Sequence, residues 1–339
     1  MKAFRLVMKD ILSQTKFGWI PFWNLLPFHH ELSNFIDEGV TFQKGNPTVI
    51  NRLLASGHVD LAPCSSVCLA LNPEQDMAMP LGVVCDGKVL SVYLGLKSEN
   101  RNLLNKIAER QAKISEAISK IAGMKTVDIR KKAALLLGMM SSSDVPLSEL
   151  PSVKLSTASA TSVMLTRILY RLWFGPESYK LACKLGKISE NPAPTTNAVF
   201  ELVIGDEALS KKRTYYHVLD LGSLWKDITG LPFVYAVWQS YKKIPVEVKN
   251  LFVSAAEKAE ARMKVEPACY LPKMTPLDDT GKEIDLGEYW KKIYYRIGKK
   301  EMKALTFFLS LAKNLHPVER SDEITIKLMH MQELANRSV

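Results

Sequence analysis

Apolar and polar positions change period several times along the chain, and each change marks an element. "VTFQKG" (40–45) alternates as a strand does. Pro47 then opens a helical pattern, "TVINRLLAS", closed by Gly57, and "VDLAPCSS" (59–66) is again extended. "MAMPLGVVCDGKVLSVYLGLK" (77–97) holds two β-branched segments around the turn Asp86-Gly87. Between 99 and 150 the spacing becomes three-and-four. Leu104, Ile107, Gln111, Ile114, Ile118 and Ile121 form one stripe, and "TVDIRKKAALLLGMM" supplies a second helix before the loop "SSSDVPLSELP". This predicts a helical hairpin inserted at 99–150 into an α/β domain, away from any ligand cleft.

From Val153 the α/β rhythm resumes. "SVKLST" reads as a strand, "TSVMLTRILYRLWFG" as a helix and "VFELVIGDEAL" as a buried strand running into a turn. "HVLDLGSLWKDITG" reads as a short helix and "LPFVYAVWQ" as a strand. "PVEVKNLFVSAAEKAEARMK", "LGEYWKKIYYRIG" and "EMKALTFFLSLAKNL" read as helices. Strands alternating with helices predict mainly parallel sheets covered on both faces.

Length and composition sharpen this picture. A chain of 339 residues, 47% hydrophobic and 24% charged, has room for two domains of globular composition. The five cysteines, Cys64, Cys68, Cys85, Cys183 and Cys269, are odd in number and irregular in spacing, which fits neither a disulfide framework nor a zinc site. The opening "MKAFRLVMKDILSQTKFGW" lacks an unbroken apolar core, and no stretch reaches the length of a membrane span, so a cytoplasmic protein is expected. The net charge of +10 is concentrated: residues 101–132 carry nine Lys or Arg against three acids, or +6. No aromatic residue for base stacking lies among them, so a solvated helix face is expected rather than a nucleic-acid surface.

Four short stretches place small polar groups at strand ends or helix starts. They are "IPFWNLLPF" with Asn24, "APCSS" with Ser65 and Ser66, "DGKVLS" with Ser91, and "STASATS" with Thr157, Ser159, Thr161 and Ser162. In open α/β folds ligands bind outside strand ends, where hydroxyls and helix N–H groups receive anions. A pocket for a small, oxygen-rich anion is the expectation. Asp206 in "IGDEAL" is a candidate for orienting a substrate hydroxyl, beside the simpler reading of a turn cap. His29-His30 look like a metal pair, but adjacent side chains point apart, so a surface or packing role is the simpler reading. No phosphate loop, dinucleotide fingerprint or nucleophile–base motif is present, so neither cofactor nor metal is expected.

At these motifs a family resemblance enters. "FWNLLPF", "VDLAPCSS", "CDGKVLSVYL", "STASATSV", "LVIGDEAL", "DLGSLWKDITGLPFVYAVW" and "IYYRIGKKEMKALTFF" follow one another as in chorismate dehydratase of the futalosine route to menaquinone, over about residues 17–98 and 151–310. The resemblance implies a two-lobed, periplasmic-binding-protein-like (type II) α/β fold with the ligand cleft between lobes. The lobes are expected at 1–98 plus 240–339 and at 151–239, with 99–150 as an insertion lacking a family counterpart. It also implies loss of water from chorismate, with Asn24 and Ser91 matching the family's functional asparagine and serine. Ser65, Ser66, Thr157, Ser159, Thr161, Ser162 and Asp206 fall in cleft-lining segments. Two alternatives stay open, the related 1,4-dihydroxy-6-naphthoate synthase, for which a cleft histidine is expected, and a non-catalytic anion-binding protein. Oligomeric state, a homodimer included, is open as well.

Overall fold

The computed structural model describes residues 12–36, 40, 42–72, 74–124, 128–140, 145, 149–190 and 199–315. The first eleven residues, on which the reading of the chain start depends, and most of the loop at 141–148 lie outside the described residues.

The strands form two main sheets. In chain order they are β1 (Phe17–Trp19), β2 (Phe42–Lys44), β3 (Ala62–Ser65), β4 (Asp76–Cys85), β5 (Val92–Leu96), β6 (Val153–Lys154), β7 (Ile188–Ser189), β8 (Phe200–Ile204), β9 (His217–Asp220), β10 (Phe233–Ser240) and β11 (Ile293–Arg296). The first sheet runs β11-β4-β10-β3, and the second runs β7-β6-β8-β5-β9. A parallel pair, β1-β2, joins the first lobe through a bridge from Phe17 to Leu61. The chain therefore changes lobe at 86–91 and again at 221–232. This divides it differently from the expected boundaries at 98 and 239: β5 belongs to the second lobe and β10 to the first.

The expectation of mainly parallel sheets is overturned. β10 is antiparallel to β3 and β4, β11 to β4, and β5 to β8 and β9; within the main sheets only β6 pairs in parallel, with β7 and β8. Strands that alternate with helices in sequence belong here to different sheets, so few neighbours are linked by a right-handed helical crossover. Two local readings change too. "LGEYWKKIYYRIG" is a short helix, Leu286–Trp290, followed by strand β11. That strand is fixed by the Glu260 carboxylate, which accepts the N–H groups of Tyr295 at 2.8 Å and Arg296 at 2.9 Å. "GDEALSK" continues as a helix, Gly205–Lys211, rather than a turn, and "HVLD" is strand β9.

Helix boundaries follow local chemistry. Asn46 caps Pro47–Ala55 by accepting from Val49 N, and Gly57 follows at φ +70°. The hairpin helices Arg101–Ala122 and Ile129–Met139 do not stand clear of the lobes. Leu103, Ile107, Ile114, Ala117, Ile121, Ala133, Leu136 and Leu137 are buried in the same apolar cluster as both lobes. The first hairpin helix packs on Leu221–Thr229 and Ala160–Phe174, and the second on Lys299–Leu315. Gln111, read as a polar member of the stripe, is a clasp: it accepts from Trp173 Nε1 at 2.9 Å and donates to Leu224 O at 2.9 Å. The basic outer face carries ion pairs such as Lys120–Glu116 and Arg130–Asp128.

His29 is a packing residue. It is buried flat against Trp19, with ring centroids 3.3 Å apart, and beside Phe28. Burial, assisted by the charge of Lys44, lowers its pKa to about 3. The unfolded chain takes up this proton near pH 6.5, whereas the folded chain refuses it until much lower pH, so stability is complete above 6.5 and is lost as pH falls. Between pH 7 and pH 5 the loss assigned to His29 is about 2 kcal/mol. Urea midpoints at the two pH values check this: His29→Phe should shrink the drop, and an identical drop in both proteins would assign it elsewhere.

Candidate functional site

A cleft of about 590 Å³, its open mouth included, lies between the lobes. From the first lobe it is lined by Phe22, Asn24, Ser65, Val83 and Tyr289, and from the second by Val92, Ser159, Ser162, Ile204 and Gly205, with Val89 and Ser91 in the crossing. Its walls are mostly apolar. No Asp, Glu, His, Lys, Arg or Cys is among the lining residues described.

Three of the hydroxyl groups have their acceptor side already engaged. Ser65 ends β3, where its Oγ accepts from Asn51 Nδ2 at 3.0 Å while its N–H donates to Asn51 Oδ1 at 2.9 Å. Ser91 Oγ accepts from the Tyr289 hydroxyl at 2.9 Å, and its carbonyl accepts from Gly205 N at 2.7 Å. Ser159 caps the helix Ala160–Phe174: its Oγ accepts from Ser162 N at 3.3 Å and lies 3.0 Å from Ser162 Oγ. A serine hydroxyl has one proton and two acceptor positions, so Ser65, Ser91 and the Ser159–Ser162 pair, all lining the cleft, each keep a proton to donate. The helix N-terminus adds partial positive charge at the Ser159 end.

Asn24 sits in the single turn Trp23–Leu25, pinned on three sides. Trp23 N donates to Asp206 Oδ1 at 3.0 Å, Trp290 Nε1 donates to Trp23 O at 2.8 Å, and the Tyr295 hydroxyl donates to Asn24 O at 2.8 Å. With its backbone held, the Asn24 side chain lines the cleft, and its Oδ1 is buried with no hydrogen-bond partner among the described residues. A buried acceptor left unmade costs about 1–3 kcal/mol, and such cost is tolerated where a ligand completes the bond.

The sequence candidates therefore divide. Asn24, Ser65, Ser91, Ser159 and Ser162 converge on the cleft. Ser66 and Thr161 are fully buried behind its wall, where Ser66 Oγ donates to Val234 O and lies 3.3 Å from Thr161 Oγ1, which also accepts from Val67 N. They tie the lobes together. Thr157 is exposed beside a neighbouring pocket, and its carbonyl accepts from Thr48 Oγ1. Asp206 is not a lining residue: its carboxylate holds the backbone of Trp23, and burial lifts its pKa to about 6 against the lowering effect of that N–H. Asn51 and Tyr289 were not singled out from the sequence. Tyr289 is 198 positions from Ser91, and nothing local marks the pair. Among the described residues no histidine lines the cleft: His29 is in the core, and His30 and His217 are exposed.

Comparison with known proteins adds a decisive observation. A family model described as menaquinone biosynthesis matches residues 15–132 and 135–314. The chain belongs to the menaquinone-biosynthesis family. The family match runs through both hairpin helices, so the hairpin is not confined outside the matched region as the sequence reading expected. Among solved structures the family member is similar to protein AF1704 of Archaeoglobus fulgidus, with 13% identity, 95% of this chain and 97% of that one covered, and TM-score 0.44. It is also similar to the Candida albicans CA3427 gene product, described as having the generic periplasmic binding protein fold (11%, 94% and 95%, 0.47). A third is the periplasmic aliphatic sulphonate binding protein SsuA of Escherichia coli (10%, 92% and 91%, 0.49). Among the described residues no helix is long and apolar enough to cross a membrane.

Proposed function

We propose that this family member is a chorismate dehydratase, converting chorismate to 3-[(1-carboxyvinyl)oxy]benzoate and water. The observation that carries the reading is the pairing, in the lining of one apolar cleft, of an orphaned acceptor with several hydroxyls that keep a proton to donate. Asn24 Oδ1 calls for a ligand that donates, and Ser65, Ser91 and the Ser159–Ser162 pair call for one that accepts. Chorismate has one alcohol and two carboxylates, and matches both demands.

The chemistry is an elimination. The C3 proton leaves, the C4 hydroxyl departs with a proton as water, and the ring becomes aromatic. Negative charge grows on the ring carboxylate as C3–H breaks, because the two are conjugated through the ring. Preset O–H donors at those oxygens stabilise that charge by roughly 3 kcal/mol each in a site with little water. Among the described residues no carboxylate or imidazole lines the cleft to take the proton. The substrate's own enolpyruvyl carboxylate sits close to C3 and serves as base once Asn24 and the serines fix its orientation. Asn24 accepts from the C4 hydroxyl through Oδ1 and donates through its amide.

Incubating the purified protein with chorismate and identifying the product by mass tests the reading. A product lighter by one water supports it; chorismate that binds and returns unchanged places the chain with anion-binding proteins instead.

The two hydroxyl classes separate in the same assay. Ser159→Ala should weaken chorismate binding by about 1–2 kcal/mol. Thr161→Val leaves Val67 N buried without its acceptor and should lower stability by about 1–3 kcal/mol at nearly unchanged affinity. Calorimetric binding and melting curves check both; weaker binding by the Thr161 variant at full stability would return that hydroxyl to the ligand site.

A further inference from the structure

Ser91 follows directly on a strained residue. Leu90 has φ +68°, and it is the one non-glycine residue with positive φ among those described. A leucine there pays a steric cost that glycine does not, so something must hold it. That hold is visible. The Asp220 carboxylate, at the end of β9, accepts from Leu90 N through Oδ2 at 2.8 Å and from Val89 N through both oxygens at 3.1 and 3.2 Å. Its Oδ1 also accepts from Ser223 N at 3.0 Å, capping Leu221–Thr229. Asp220 thus starts the second lobe crossing while gripping the first.

The two crossings are pressed together around this grip. A Cβ on Gly222 would lie 2.3 Å from Gly87 O, so only glycine allows the approach. Asp86 pairs with Lys226 of the second crossing and with Lys300, at 2.5 and 2.7 Å. One residue beyond Leu90, Ser91 meets Tyr289 of the first lobe and Gly205 of the second.

We propose that Asp220 is a positioning residue for Ser91: by holding Leu90 in the left-handed conformation, it aims the Ser91 hydroxyl into the cleft. This rests on the reading of Ser91 as a substrate donor. Asp220 itself is absent from the cleft lining, and its effect on turnover passes through the backbone of 89–91.

The test is a cycle of variants of the full chain, assayed with chorismate, with amide hydrogen exchange measured on the ligand-free protein. Asp220→Asn replaces one acceptor oxygen by a donor facing N–H groups. Its kcat should fall about tenfold with a smaller change in KM, and exchange at Leu90 should accelerate about tenfold while that at Leu94 in β5 holds. In a Ser91→Ala background the same substitution should add less than about twofold, because its route is already cut. Fully additive losses, or unchanged kcat with unchanged Leu90 exchange, overturn the proposal. Leu90→Val and Leu90→Gly give a route that leaves Asp220 in place, should Asp220→Asn fail to fold. The β-branched valine resists positive φ and should lose about tenfold in kcat, while glycine adopts it freely and should stay within about threefold. Equal activity of the two overturns the proposal. Should the wild-type protein leave chorismate unchanged, the dehydratase reading fails by itself, and the exchange at Leu90 still decides whether Asp220 holds the crossing.

Discussion

Asn24→Ala should abolish chorismate turnover, by about a hundredfold or more, and leave the melting temperature equal to or above that of the wild type. The two halves of this expectation have one cause. Asn24 Oδ1 is buried without a partner, so the folded protein carries its desolvation cost with no compensating bond. Alanine removes the cost along with the acceptor. The turn Trp23–Leu25 stays in place, because it is held through the backbone by Asp206, Trp290 and Tyr295. In the proposed reaction, catalysis would lose both the acceptor for the departing hydroxyl and the amide that orients the base, groups that would act together in one transition state. Steady-state rates and melting curves on the same sample check it. An active variant, or an inactive one that has lost its fold, would remove Asn24 from the mechanism.

Deleting residues 103–145 and bridging the ends with a short Gly-Ser linker should destroy the cooperative fold. The deletion removes Leu103, Ile107, Ile114, Ile121, Leu136 and Leu137, all buried against the lobes. At about 1.5–3 kcal/mol for each large apolar side chain, the loss is on the order of 10 kcal/mol, comparable with the whole stability of an ordinary domain. It would also leave the indole N–H of Trp173 without Gln111 and bare the faces of Leu221–Thr229 and Lys299–Leu315. The single change Ile114→Ala should by itself cost about 3 kcal/mol. Circular dichroism melting tests both. A soluble deletion variant with a sharp transition near that of the wild type would show the hairpin to be an appendage after all.

Much of the lining of the candidate cleft was legible, because hydroxyl-bearing residues at strand ends and helix starts carry their own signal. What failed was direction. Ser65 and Ser66 are adjacent, so when Ser65 faces the cleft Ser66 turns behind it. Ser159 and Ser162 share a helix face at i, i+3, whereas Thr161 between them points toward the lobe junction. A motif read as a run of hydroxyls hides this division, which appears only once the elements have a register. Helix ends such as Asn46-Pro47 and Asp220 through Gly230 were legible from caps and stops. Strand pairing was not, because which sheet a strand joins depends on contacts about one to two hundred residues apart: β4 finds β10 and β11, while β5, a few residues on, leaves for the other lobe. The hairpin stripe was read correctly as helical. Its partner, the lobes themselves, was invisible in its own spacing.

Chorismate deuterated at C3 gives the most direct measurement. With the purified protein, the label should leave the ring, the aromatic product should appear free of deuterium at every ring position, and one water should form per chorismate consumed. Label retained in unchanged chorismate, or carried into the ring of the product, would contradict dehydration by C3 proton removal in this cleft.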